Sequence, residues 1–181
     1  MILAGLVGAS AAARSQSAEH VIEAGGARID VQFDDGFAAP TVRDALVWLQ
    51  RAADAIDAGG GADIPLHALV ETHGALRDVQ ALAAHPRIES LSFGLMDFVS
   101  AHRGAIPASA MSVKGQFEHP LVLRAKLEIA AACHAQAKVP SHCVVTEFKH
   151  AAALMDAAGK ACRQLGYTRM WSIHPDQIRP I

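Results

Sequence analysis

What most constrains this chain is an alternation that starts near residue 40 and continues to the end. Short apolar runs bounded by turn residues are separated by longer runs with helical periodicity. Pro40-Thr41 opens a helix. Thr41 is its cap, Asp44 sits three residues on, and Val42, Ala45, Leu46, Leu49, Ala53 and Ile56 share one face before Gly59-Gly60-Gly61 stops it. Segments 65–71 (PLHALVE), 88–94 (IESLSFG), 141–148 (SHCVVTEF) and 169–174 (RMWSIH) read as strands. Segments 74–84, 120–137 and 150–165 read as helices, closed by Pro86, Pro140 and Gly166. Strands separated by helices build βαβ units around a parallel sheet. Two closures satisfy that rule, an open doubly wound sheet and a (β/α)8 barrel. Gly5-Leu6-Val7-Gly8 lacks the glycine spacing of a dinucleotide fingerprint. Even counting ILAGLVG (residues 2–8) and ARIDVQF (27–33) as strands, 181 residues fall short of a whole barrel, which needs about 250.

Charge and composition remove several classes of function. The 16 basic residues against 18 acidic ones leave a net charge of −2, without the basic excess of a nucleic-acid binder. A hydrophobic fraction of 51% is too high for a disordered chain. No apolar run approaches the ~18 residues of a membrane span. Residues 1–13 (MILAGLVGASAAA) are apolar and small, but no basic residue precedes Arg14, so a buried strand fits better than a signal peptide. Cys133, Cys143 and Cys162 are odd in number and form no C-x-x-C, which suits a reducing, cytoplasmic setting.

In βα proteins the chemistry gathers where strands end and loops converge. Here the strand ends are polar: Glu71-Thr72-His73-Gly74, Gly94-Leu95-Met96-Asp97, Thr146-Glu147-Phe148 and His174-Pro175. Glu71 and Asp97 are the informative pair. A carboxylate closing an apolar strand is costly unless paired, hydrated or bound to a cation. Two from neighbouring strands suit one hard ion such as Mg²⁺, which takes oxygen ligands and keeps open positions for a chelating substrate. The competing reading pairs Glu71 with Arg77 or Arg103 and has Asp97 cap the next turn. His67 shares a strand face with Glu71, and Ser172 with His174. A zinc site from His134, Cys133, His142 and Cys143 matches no standard spacing, and no G-x-S-x-G is present. The segment 95–119 is longer than ordinary loops. It reads either as a cover for a substrate or as a surface insertion with a short helix at 98–102.

Three ordered motifs then become recognisable: Glu71-Thr72; Phe93-Gly94-Leu95-Met96-Asp97 followed by Gly104; and Ile173-His174-Pro175-Asp176-Gln177. Over residues 40–181 the chain resembles the HpcH/HpaI aldolase and citrate lyase beta-subunit family, specifically its C-terminal half. The resemblance implies an α/β fold of (β/α)8 TIM-barrel type in incomplete form, with residues 1–39 an atypical N-terminal segment. It implies a carbon–carbon lyase with Glu71 and Asp97 as ligands to Mg²⁺ and with substrate contacts at Gly94 and His174. The substrate it implies is a small acyl-coenzyme A thioester such as citryl- or malyl-coenzyme A. A metal-dependent 2-oxo-acid aldolase and a non-catalytic remnant stay open beside it. Some family features have no counterpart: the early Asp-Leu-Glu-Asp motif, the substrate-clamping Arg of an Arg-Val-Asn context, and a C-terminal segment reaching a neighbouring subunit. Thr41 stands where the family has Lys. A barrel short of strands leaves unpaired edges, so self-association into a homo-oligomer is expected, with neither nucleic acid nor membrane as partner.

Overall fold

Five parallel strands form the frame, in the order β1-β4-β5-β6-β7, with helices in the connections after β4, β5 and β6. The computed structural model describes residues 2–5, 18–24, 27–33, 42–60, 64–147 and 149–181. The strands are β1 (Ile2–Gly5), β4 (Leu66–Val70), β5 (Ile88–Phe93), β6 (Val139–His142) and β7 (Arg169–Met170). Between β1 and β4 in the chain, β2 (Ala18–Ala24) and β3 (Ala27–Phe33) make a separate antiparallel hairpin. The parallel, helix-linked sheet agrees with an incomplete barrel. Of the expected strands, 141–148 shortens to β6 and begins two residues earlier, while 169–174 shortens to β7. Residues 6–8 of the first expected strand lie outside the described residues.

The helices are α1 (Val42–Ala58), α2 (His73–Arg77), α3 (Val79–Ala84), α4 (Leu95–Ala101), α5 (Pro120–Ala135) and α6 (Ala151–Leu165). Leu49, Ala53 and Ile56 of α1 are buried, as the periodicity requires. The expected helix 74–84 breaks at Asp78, whose carboxylate is forked by the Arg77 guanidinium. Segment 95–119 is mostly ordered as α4 and two short 3-10 turns, Ala108–Met111 and Gly115–Phe117.

A register shift in the β4–β5 pairing gives the sheet its two faces. Leu66 pairs with Ile88, but His67 pairs with Ser90, so Glu89 is skipped as a bulge. Ile88, Leu91 and Phe93 can then all join Leu66, Ala68 and Val70 in the core under the helices, although strict alternation would split them. The opposite face carries His67, Ser90, Ser92, Ser141 and Arg169. There Ser90 accepts from Arg169 at 3.2 Å and bonds the His67 ring, Ser92 donates to the Ser141 carbonyl at 3.0 Å, and Trp171 lies 5.4 Å from His67. Burial, aided by the Arg169 charge, holds His67 down at about 4, so it is neutral near pH 7. This polar layer links β4, β5, β6 and β7.

Gly166 ends α6 in the left-handed conformation, φ 75°. Its carbonyl bonds His134 Nε2 at 2.7 Å, and a Cβ there would lie 3.3 Å from that nitrogen. Gly166→Ala is expected to lower stability by about 1 kcal/mol, because an L residue is penalised at positive φ. Chemical denaturation with an unchanged m-value would measure it.

Candidate metal and substrate site

Glu71 immediately follows β4, and Asp97 lies in the first turn of α4, just after the neighbouring β5. The parallel pairing of β4 with β5 brings both to one rim. Asp97 lies near enough for its charge to bear on the Glu71 carboxyl. Glu71 is 2% exposed, whereas Asp97 is exposed to solvent. Burial first, and then the Asp97 charge and hydrogen bond, push the Glu71 carboxyl from 4.5 up to about 7. Near neutrality Glu71 therefore holds a proton part of the time.

Neither arginine of the competing reading satisfies Glu71. Arg77 is engaged with Asp78, and Glu71 Oε1 is buried without a hydrogen-bond partner. A buried carboxyl oxygen without a partner near a second carboxylate is an oxygen-only donor set that could take a cation. This arrangement fits Mg²⁺ better than a soft metal. No group of three or more His, Cys, Asp or Glu that could hold a metal occurs among the described residues. Any ion here would complete its shell with water or substrate.

Thr72 and Gly94 shape the site from either side. The Thr72 hydroxyl accepts from the Ala75 amide at 3.1 Å and caps α2, fixing the chain direction right after Glu71. Gly94 donates its N–H to the Val70 carbonyl at 2.8 Å. That N–H is therefore already engaged, and what Gly94 offers is space. A Cβ at position 94 would sit 2.7 Å from Glu71 Oε2 and press on the Glu71 Cβ. His174, the other expected substrate contact, caps the turn Pro175–Gln177, its Nδ1 accepting from the Asp176 amide at 3.2 Å. Gln177 in that signature is buried and ties the turn to the sheet end, donating to Val145 O at 2.7 Å and accepting from the Ile173 amide at 2.8 Å.

The suggested zinc residues do not converge. His134 bonds Gly166 at the surface, while His142 and Cys143 are buried against Lys126. A groove of about 460 Å³ between α2, α3, α4 and α5 is lined by His73, Phe98, His102 and Arg124 among others, and neither Glu71 nor Asp97 lines it. Sequence reading missed Lys126, although a signal was present. It lies at helical spacing from Val122, Ile129 and Cys133, all on the buried face of α5.

Similarity to solved structures decides the family. A citrate lyase of Burkholderia xenovorans matches with 56% identity and a TM-score of 0.74, over 78% of this chain and 44% of that one. The chain belongs to the citrate lyase family, as a C-terminal part. It spans less than half the length of that relative. RipC of Yersinia pestis (20% identity, TM-score 0.59, 77% of this chain and 57% of that one) shares the fold. So does a malate synthase of Haloferax volcanii (14%, 0.60, 77% and 40%). These neighbours are of TIM-barrel type, and the parallel, helix-linked sheet is an incomplete form of that fold. No family model and no curated protein matches the chain. No helix among the described residues is long and apolar enough to cross a membrane.

Proposed function

We propose that this chain carries the metal site of a Mg²⁺-dependent carbon–carbon lyase acting on a 3-hydroxyacyl-coenzyme A thioester such as citryl- or malyl-coenzyme A. The observation that carries the reading is the meeting of Glu71 and Asp97 at adjacent strand ends, with one Glu71 oxygen buried and unpartnered. The 56% identity to a citrate lyase supports the reaction class. Glu71 and Asp97 would hold the ion. Bound there, Mg²⁺ supplies Lewis acidity toward the carbonyl and alkoxide oxygens whose charge grows as the carbon–carbon bond breaks. Glu71 must be ionised to act as a ligand, so the ion and the Glu71 proton compete for the same carboxyl. Gly94 keeps its side of the site open.

Isothermal titration with Mg²⁺ at pH 8, paired with cleavage assays on malyl- and citryl-coenzyme A, tests this. Asp97→Asn is expected to weaken Mg²⁺ binding roughly 10-fold, since losing even an outer partner of a metal site costs about that much. Equal Mg²⁺ affinity in wild type and Asp97→Asn would overturn the site. Cleavage of free hydroxy-oxo acids in preference to the thioesters would move the reading to the aldolase alternative. Mg²⁺ binding without turnover of either substrate class would favour the non-catalytic one.

A further inference from the structure

Between α5 and the helix-facing side of β6 lies a buried polar cluster that the proposed site does not use. The Lys126 side chain is fully buried. Its nitrogen donates to Gln116 Oε1 at 2.9 Å and to His142 Nε2 at 2.8 Å, and lies 4.2 Å from the centre of the Phe117 ring. Cys143, 3% exposed, donates its thiol to the same Gln116 oxygen at 3.3 Å. One amide oxygen thus gathers an amine and a thiol. His142 is fixed as the neutral ring. Its Nδ1–H donates to the Cys143 carbonyl at 2.9 Å, which leaves Nε2 to accept from Lys126.

A buried cation with no carboxylate partner is costly, and no carboxylate among the described residues pairs with Lys126. Burial holds its ammonium down at about 8, so the free amine is within reach near neutral pH. Two nucleophiles held on one buried amide oxygen, one a thiol and one a readily deprotonated amine, are the components of a covalent link.

We propose that Cys143 and Lys126 form a redox modification site, in which peroxide oxidises the Cys143 sulfur and the Lys126 amine then condenses with it to a reversible sulfur–nitrogen bond. In the first step sulfur attacks hydrogen peroxide. The O–O bond breaks, and Cys–SH + H₂O₂ gives Cys–SOH + H₂O. In the second step the Lys126 lone pair forms the S–N bond, and the S–O bond breaks. The oxygen leaves as water with a proton from nitrogen: Cys–SOH + Lys–NH₂ gives Cys–S–NH–Lys + H₂O. Sulfur loses two electrons and peroxide gains two. Sulfenic acids condense in this way even with backbone nitrogen, and an amine is the stronger nucleophile. Burial keeps bulk thiols away from the intermediate. The link would staple α5 to the end of β6.

The other cysteines are internal controls. Burial raises both buried thiols, and what separates them is the neighbour: Cys133 meets the Leu91 backbone and, among the described residues, has no amine on a shared acceptor. Cys162 is exposed. The test uses the full chain carrying Cys162→Ser. It is treated with hydrogen peroxide, denatured, alkylated and digested for mass spectrometry. The expected result is the loss of one alkylatable thiol. A linked peptide should join the Lys126 and Cys143 segments, lighter by two hydrogens than the pair, and should disappear with dithiothreitol. In Lys126→Arg the link is expected to vanish and a dimedone adduct of Cys143 to replace it. The wild-type lysine sample decides the matter even if that variant does not fold. Unmodified Cys143, dimedone-labelled or sulfinic Cys143 without linkage, or a linked peptide retaining an oxygen would each overturn the proposal.

Discussion

Glu71→Gln is expected to cost the protein its divalent-cation site and at the same time make the metal-free chain more stable above pH 7. The two effects have one cause. The Glu71 carboxyl, pushed from 4.5 up to about 7 by burial and by Asp97, keeps its proton in the folded chain over a range where the unfolded chain has already released it. Across that window the native state binds more protons than the unfolded state, so stability falls as pH rises from about 4.5 to 7 and levels off above it. A shift of this size corresponds to about 3 kcal/mol. Gln is never charged, and its amide can donate to Asp97, so the variant should show no such decline. A bound Mg²⁺ relieves the same repulsion in the wild type, so its Tm should climb with Mg²⁺ concentration by mass action. Glu71→Gln is expected to lose upwards of roughly 100-fold in Mg²⁺ affinity, more than the loss of an outer partner alone would cause, and to lose the Mg²⁺-dependent rise in Tm. Thermal unfolding from pH 4 to 8, with and without Mg²⁺, measures both effects. A variant that is still stabilised by Mg²⁺, or a wild type whose stability does not fall between pH 4.5 and 7, would contradict the assignment.

Gly94→Ala tests the same site by shape, leaving every ionisable group in place. The added methyl carbon would lie 2.7 Å from Glu71 Oε2 and closer still to the Glu71 Cβ, atoms fixed by the end of β4. Position 94 has φ −82°, a conformation any residue adopts, so the penalty comes from crowding alone. Overpacking of this kind costs about 1–3 kcal/mol. The expected relief is a shift of the strand ends that carry Glu71 and residue 94, with the Glu71 carboxyl turning away, which separates the two ligands. Mg²⁺ affinity should therefore fall by roughly 10-fold or more, and the decline of stability between pH 4.5 and 7 should flatten because the carboxyls no longer face each other. A Gly94→Ala protein with wild-type Mg²⁺ affinity would show that Glu71 is not held where the site requires it.

The parallel, helix-covered sheet was legible in the chain because local periodicity reports which side of an element is buried. Leu49, Ala53 and Ile56 on α1, and Leu66, Ala68 and Val70 on β4, need no distant partner to declare their faces. The carboxylates were legible for a related reason: an acid at the end of an apolar strand stands out, and parallel strands end at the same rim. The bulge at Glu89 was not legible. It depends on pairing with β4, and without that pairing Ile88, Leu91 and Phe93 cannot be assigned to one face. Lys126 is also ambiguous in isolation, since a lysine on an amphipathic helix is ordinarily solvated. Only the 3-10 turn that delivers Gln116 and Phe117, together with the end of β6 that delivers His142, supplies the partners that let it be buried.

By itself, then, the sequence determined the alternation of strands with helices, and that Glu71, Asp97 and His174 belong to the ends of strands. Tertiary structure decided which of those ends meet. It set Glu71 near Asp97, gave Gly94 the task of leaving room, and made His174 the cap of the turn that follows it. Distance in space between side chains far apart in the chain is fixed by strand order and register, and no local pattern encodes it.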